Sequence, residues 1–181
     1  MQESLSLRRE AFVEESKIFE QEELDDHDIN SVHILVQHKE SCRYVATARL
    51  IMKDLPSLIN PFFTIKRKPV EHGLGEISRI CVPRGRIGGL NIKTPASLAL
   101  FAGIIRTSLN HKLTSWITCM EPRLNKLLNK NHLGLIQISD LGKYYGIRAI
   151  YYGKIGDVVY NVHRKDKQLF YGMGKVKVDE L

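Results

Sequence analysis

The run Gly75-Glu76-Ile77-Ser78-Arg79-Ile80-Cys81-Val82 constrains the fold more than any other stretch of this chain. Its apolar residues are β-branched or small. Gly73 and Gly75 open it, and Pro83, Gly85, Gly88 and Gly89 close it, so it reads as a strand. Yet Glu76, Ser78 and Arg79 sit inside an otherwise apolar run. Side chains alternate along a strand, so Glu76 and Arg79, three apart, point to opposite faces. They share a face only if the strand bulges between them, and bulges concentrate beside active sites. The run is either a half-solvated strand or a bulged strand that carries a site.

The flanking segments supply more chemistry-bearing residues. Residues 4–20 read as a helix with Leu7, Ala11, Phe12, Ile18 and Phe19 at helical spacing, and no Gly or Pro interrupts them. Arg8 and Phe12 are one turn apart on it. Asp25 and Asp28 fall in the acidic residues 20–28, which lack apolar periodicity and read as a loop, most simply a solvated linker. Strands follow at 32–37 and 44–52, joined by a polar turn. Val45, Thr47, Arg49 and Ile51 share one face of the second, so Arg49 is either exposed at an edge or aimed into a polar site. Residues 54–63 hold two prolines and read as an irregular or helical connection, and Lys66-Arg67-Lys68 as a solvated loop.

After the opening strand comes the basic glycine-rich loop Arg84-Gly85-Arg86-Ile87-Gly88-Gly89. Thr94 as N-cap and Pro95 at the first position start a helix to about Asn110, with Leu98, Phe101, Ala102, Ile105 and Leu109 on one face. Strand, glycine-rich loop and helix N-terminus together offer backbone N–H groups to an anion. Neither G-x-G-x-x-G nor a Walker A sequence is present. A strand at 115–120, a helix at 122–131 and strands at 135–138, 149–155 and 158–162 follow. The basic tail from Arg164 docks through Leu169 and Phe170. The order is that of a single α/β (α+β) domain over residues 1–181.

Composition narrows the function classes. The chain has no apolar run of the roughly 18 residues a membrane helix needs. Its first residues lack the basic-then-apolar pattern of a signal peptide. Cys42, Cys81 and Cys119 are odd in number and widely spaced, which points to a cytoplasmic protein without disulfides or a metal site. Cys81, flanked by apolar residues, reads as core. His33, in a strand, reads as packed or edge-exposed. The net charge of +7 is uneven: residues 1–30 carry −7 and residues 31–181 carry +14. The basic body suits an acidic partner, either nucleic acid or an acidic carrier protein. No helix-turn-helix, RNP or zinc pattern appears, and aromatics do not interleave with the basic patches, which argues against nucleic acid.

The pieces Arg8-x-x-x-Phe12, Asp25-x-x-Asp28, Arg49 and Glu76-x-Ser78-Arg79 occur in the order and near-spacing of acyl-homoserine-lactone synthases. The chain also resembles their relatives, the N-acyl amino acid synthases and the exosortase-associated acyltransferases. The pattern Met120-x-Pro122-Arg123-Leu124, Leu133-Gly134 and Tyr145-x-x-Arg148 is similar to the last group. The resemblance implies a GNAT fold, with a splayed mixed sheet flanked by helices. It also implies that the charged set gathers at one end of a cleft taking an acyl thioester on phosphopantetheine. Carried over, Arg8, Asp25, Asp28, Arg49, Glu76 and Arg79 form the polar cluster. Glu76 accepts the amine proton, with Ser78 and Arg79 beside it in the catalytic run. Asp25 and Asp28 suit an ammonium, and Arg49 or Arg79 its carboxylate. Backbone N–H groups at the bulge serve the oxyanion. Phe12 belongs to the substrate-binding set. Phe101, Trp116 and Met120 line the acyl pocket or the core. Arg84, Arg86, Gly88 and Gly89 seat the phosphopantetheine arm.

Two departures refine the expectation. Arg84–Gly89 does not match the Q/R-x-x-G-x-G/A pyrophosphate signature, which favours acyl carrier protein over coenzyme A as donor. Where the lactone synthases carry a Trp, this chain has Ile18, which favours an amino acid over S-adenosylmethionine as acceptor. The expected activity is N-acyl transfer from acyl carrier protein to an amino acid, with no tightly bound cofactor. The alternatives are a lactone synthase using S-adenosylmethionine, a domain that binds an acyl group without turnover, and a basic nucleic-acid-binding module.

Overall fold

The computed structural model describes residues 1–18, 23–52, 62–69, 72–90, 95–133 and 135–165. Among them, helix α1 (Gln2–Arg8) runs on into a wider π-helical segment, Arg9–Glu15, and a short 3-10 turn covers Asp26–Asp28. Strands β1 (Val32–Gln37), β2 (Tyr44–Ile51) and β3 (Leu74–Cys81) come next. Helices α2 (Arg84–Ile87) and α3 (Ala96–Asn110) precede β4 (Ser115–Met120), and α4 (Pro122–Lys130) precedes the short β5 (Ile136–Gln137) and β6 (Gly142–Lys143). Strand β7 (Ile147–Lys154) leads directly into α5 (Ile155–Lys165). The strands form a mixed sheet ordered β1-β2-β3-β4-β7-β5, with β6 beside β7; only the β3–β4 pairing is described as parallel. This is the expected α/β fold.

The chain divides into two compact units. Among the described residues, one comprises Met1–Ile51 with Ser78–Arg106, and the other Met52–Ile77 with Thr107–Lys165. Strand β3 gives its first half to the second unit and its second half to the first.

In the first unit β1 and β2 pair as the expected antiparallel hairpin, with Ile34 opposite Ala48 and His33 opposite Arg49. β2 is buried from Val45 to Ile51, on both faces. Helix α1 and the π-helical segment seat Leu7 and Ala11 against Cys81, with Phe12, Leu35 and Tyr44 packed around them. The expected helix at 4–20 is thus present but not uniformly α. Ser16 N–H donates to the Ala11 carbonyl, the five-residue closure of a π turn. Such turns are frequent at functional sites.

In the second unit the register sorts side chains by face. Glu76 lies opposite Ile117, Ile117 opposite Tyr152, and Cys119 opposite Ile150. Directly opposed residues share a face, so Leu74, Glu76, Ile117, Cys119, Ile150 and Tyr152 line one side of the sheet. Most of that side forms an apolar cluster with Phe63 and Ile138. Trp116, Thr118 and Met120 line the other side. Gly142 is required here, because an added Cβ would lie 2.2 Å from the Phe62 carbonyl oxygen. Two expectations fail in this unit. The strand expected at 158–162 is helix α5, in which Ile155, Val158 and Val162 are buried at spacings of three and four, a helical stripe that the β-branched Val158-Val159 pair disguised. Leu109, expected on the buried face of its helix, is half-exposed. The Thr94 cap, most of the 54–63 connection and the tail with Leu169 and Phe170 lie outside the described residues.

Candidate active site

Arg8 has no solvent exposure, and its guanidinium is enclosed by acceptors. Nε donates to Glu23 Oε1 at 2.5 Å, Nη1 to Asp28 Oδ1 at 2.5 Å, and Nη2 to Asp28 Oδ2 at 3.0 Å and the Glu23 carbonyl at 2.9 Å. Arg49, also buried, clamps Asp25 through both terminal nitrogens at 2.6 and 2.9 Å and reaches Asp28 Oδ1 at 2.9 Å. Its Nε donates to Ser78 Oγ at 3.0 Å. Arg79 donates to Asp25 Oδ2 and to the Glu23 carbonyl, both at 3.1 Å. Three guanidinium groups and three carboxylates therefore form one balanced network. Its two most exposed charged side chains are Asp25 and Arg79, at 31% and 21%.

The acidic segment is built to present its carboxylates. Asp25 caps the 3-10 turn, accepting from the His27 backbone, while the Asp28 side chain accepts from the Asp25 backbone in a reciprocal capping box. The solvated-linker reading of this stretch is corrected for the described residues 23–28: Glu23 and Asp28 are buried. Burial alone would raise the Asp28 carboxyl, but the hydrogen bond and charge of Arg8, then those of Arg49, hold it far below the ordinary carboxylate range. Asp25 is lowered in the same way, against its burial, by Arg49 and then Arg79. Burial, and then the charge of Arg49, lower Arg79.

Inside β3 one residue departs from regular strand geometry. Arg79 has φ +52°, a left-handed conformation inside β3 that non-glycine residues adopt at a cost of about 1–3 kcal/mol. It breaks the alternation, so consecutive Ser78 and Arg79 both meet partners of one network: Ser78 accepts from Arg49, and Arg79 shares Asp25 with it. Glu76, two residues before Ser78, is buried on the sheet face that carries Ile117 and Cys119.

Phe12 packs against the Leu7–Ala11–Cys81 cluster, and Phe101 is buried on α3. Trp116 is buried and donates from Nε1 to Ser108 Oγ at 2.8 Å, and Met120 is buried four residues on. Arg84–Ile87 is a short helix rather than a loop, and the Arg86 guanidinium is held by Glu10 and Ser6 of the N-terminal helix. Arg84, Gly88 and Gly89 are exposed, Gly89 with φ +74°. Burial pushes the Cys81 thiol up to about 12, which fits core and not nucleophile.

Three participants escaped the sequence reading: Glu23, Ser4 and His33, whose ring lies 2.9 Å from the Asp28 carbonyl oxygen and 3.0 Å from Ser4 Oγ. Glu23 sits five residues before Asp28 in an acidic run, where nothing local separates a buried acid from a solvated one. Ser4 and His33 carried no motif at all.

The model of one family, the autoinducer synthases, matches residues 2–155. No curated protein matches the sequence. Among solved structures, the CoA-dependent acyl-homoserine lactone synthase BjaI, with SAM and isopentyl-CoA, is similar with TM-score 0.67 and 19% identity, over 90% of this chain and 80% of that one. The AHL synthase LasI is similar with TM-score 0.64 and 17% identity, over 84% and 82%. Escherichia coli ElaA follows with TM-score 0.58 and 18% identity, over 82% and 86%.

Proposed function

This chain belongs to the autoinducer synthase family, an acyltransferase family, and from that premise we propose that it moves an acyl group from a phosphopantetheine thioester to the amine of S-adenosylmethionine. The family match and the likeness to lactone synthases support this acceptor over the free amino acid that Ile18 suggested. The observation that carries the reading is the balanced network of Arg8, Arg49 and Arg79 with Glu23, Asp25 and Asp28. A net-neutral set of fixed charges, most exposed at Asp25 and Arg79, suits the amino-acid end of S-adenosylmethionine, which brings one ammonium and one carboxylate apart from its sulfonium. It receives both without leaving a charge uncompensated.

In the reaction the amine nitrogen attacks the thioester carbonyl carbon, and a C–N bond forms as the C–S bond breaks. The departing thiolate takes one proton from the nitrogen as the amide forms; before the attack, the bound ammonium must give up another. Glu76, a buried carboxylate on the apolar face of Ile117 and Tyr152, takes that proton directly or through one water. Backbone N–H groups at the left-handed Arg79 meet the developing oxyanion. Asp25 and Asp28 hold the ammonium-bearing end, and Arg49 or Arg79 its carboxylate. Coenzyme A and acyl carrier protein present the same phosphopantetheine thioester; the +14 balance of residues 31–181 suits the acidic carrier.

The test pairs each donor with S-adenosylmethionine or an amino acid panel, followed by mass spectrometry of products. Acyl-homoserine lactone is the expected product. It forms when the carboxylate oxygen of the acylated acceptor attacks the carbon bearing the sulfonium, so that a C–O bond forms, the C–S bond breaks and methylthioadenosine leaves. N-acyl amino acids would replace the acceptor, and no acylated amine from any pair would overturn the reading. Glu76→Gln is expected to lower turnover by about 100-fold or more, with an unchanged circular dichroism spectrum. Full activity in that variant would remove Glu76 from the mechanism.

A further inference from the structure

A cavity of about 380 Å³ lies in the second unit, on the sheet face that carries Glu76 but two strands away from it. All of its lining residues belong to that unit. Ile136 of β5 stands directly opposite Tyr152 of β7, so the two share a face with Ile138 and Lys154, each two residues further on. Arg67, Lys68 and Pro69 line it as well. The Lys66 and Arg67 N–H groups both donate to the Ile138 carbonyl, at 2.8 and 3.3 Å, which pins this basic segment beside the edge of the sheet. Asp157, in the first turn of α5, is the one carboxylate of the lining.

Arg67, Lys68 and Lys154 against Asp157 leave the cavity two positive charges in excess. The neighbouring Lys66 adds nothing to that balance, because it pairs with Asp140 at 2.5 Å. Among the described residues, Arg67, Lys68 and Lys154 have no ion pair. On a convex surface such cations would simply be solvated. Gathered around a concavity with apolar walls, they focus a positive potential into it, and a bound anion relieves their mutual repulsion. The volume is that of a small-molecule site, apolar with a few convergent polar groups.

We propose that this cavity binds a phosphate ester with a flat, hydroxyl-bearing body, the class to which nucleotides belong. A dianionic phosphate answers the excess of two charges. Arg67 offers it parallel N–H donors, and Lys68 and Lys154 add point charges. The body covers Ile136, Tyr152 and Pro69, apolar surface that a bare phosphate leaves wet. Asp157 accepts from a sugar hydroxyl, a contact that a further anionic group could not make. An acyl carboxylate matches less of the lining, since it brings one negative charge and no donor for Asp157.

Calorimetric titration of the full chain with AMP, inorganic phosphate, adenosine and octanoate tests this. AMP, whose phosphate is largely dianionic near neutral pH, is expected to bind at least about tenfold tighter than any of the other three, since each of those lacks one or more of its contacts. Adenosine is also a part of S-adenosylmethionine, so the site must be located as well as detected. Arg67 and Lys154 are exposed, and their glutamine variants keep the fold. Arg67→Gln and Lys154→Gln are each expected to weaken AMP by about tenfold, the loss of one charge-assisted contact, and to leave adenosine unchanged. Lys154→Arg restores it. In 15N NMR the backbone amides of Gly153 and Lys154 should shift as AMP is added. The proposal is overturned if AMP does not saturate in the millimolar range, or if it binds the Arg67→Gln/Lys154→Gln double variant as tightly as the wild type. Phosphate as tight as AMP would mean an anion site with no place for a body, and octanoate tighter than AMP a carboxylate site; either result overturns it too. None of these measurements depends on acyl transfer, so a chain that acylates no amine can still carry the site.

Discussion

Strand β3 serves two regions of opposite character. Its first half brings Leu74 and Glu76 to a sheet face where Phe63, Ile117, Ile138, Ile150 and Tyr152 pack by shape. Its second half brings Ser78 and Arg79 to a network in which every group is charged or bonded to a charge. The apolar region loses stability in proportion to what is removed, because each methylene contributes on its own. The charged region does not. Each guanidinium there offsets the burial of carboxylates that would otherwise be strongly unfavourable, so the energy of one member is conditional on the others. A fold can therefore hold a polar site rigidly while gaining little net stability from it.

Arg8→Met tests that contrast with the largest expected effect. The side chain is replaced by one of similar length, yet Glu23 and Asp28 are left buried without their main partner. The expected loss is about 3–5 kcal/mol, read as a shift of the urea midpoint at constant slope. A loss below about 1 kcal/mol would mean that the network rearranges as freely as a surface. The acid limb offers a second reading of the same variant. Asp25 and Asp28 are held below the ordinary carboxylate value of about 4, so the unfolded chain binds more protons than the native one. Their contribution is complete above that value and is lost as pH falls through it toward the folded values. In Arg8→Met the Asp28 carboxyl loses its chief partner, so stability should fall less steeply below pH 4 than in the wild type.

How much of this was legible differs between the two regions. The alternation of Val45, Thr47, Arg49 and Ile51, the Pro122 helix start and the 115–120 strand are local patterns, and the structure keeps them. The polar site was legible only in part. Arg49 and Arg79 stood out because charges inside apolar strands demand a reason. Arg8, Asp25 and Asp28 instead entered through the resemblance to acyl-homoserine-lactone synthases, since the acidic run by itself reads as a solvated linker. Glu23 and His33 did not stand out, since their roles depend on partners 15 and 29 residues away, Arg8 and Ser4. Helix α5 was misread for the opposite reason. The local β-propensity of Val158 and Val159 outweighed a buried stripe of only three residues.

The apolar region should answer more mildly. Ile150→Val removes one methylene from a fully buried position in the middle of β7, at an expected cost of about 0.5–1.5 kcal/mol. Acyl transfer should change by less than about threefold, because the β-branched shape on that face is retained. A cost as large as that of Arg8→Met would erase the distinction between shape packing and conditional charge.

Arg79→Asn has the smallest expected effect on stability and divides the network's two duties. Asn tolerates the left-handed backbone better than Arg, so part of the strain at φ +52° is relieved. Against that, the hydrogen bonds to Asp25 and the Glu23 carbonyl are lost. Those bonds lie at the more exposed edge of the network, where ion pairs contribute little. Asp25 also keeps both bonds from Arg49. The two effects nearly cancel, and the urea midpoint should move by no more than about 1 kcal/mol. Acyl transfer should nonetheless fall steeply, because the proposed acceptor contact is gone while the fold is intact. If the variant is as active as the wild type, the exposed edge of the network is structural and the acceptor binds elsewhere. If stability falls as far as in Arg8→Met, the edge is as tightly coupled as the buried centre, and the strained backbone at Arg79 is held for packing alone.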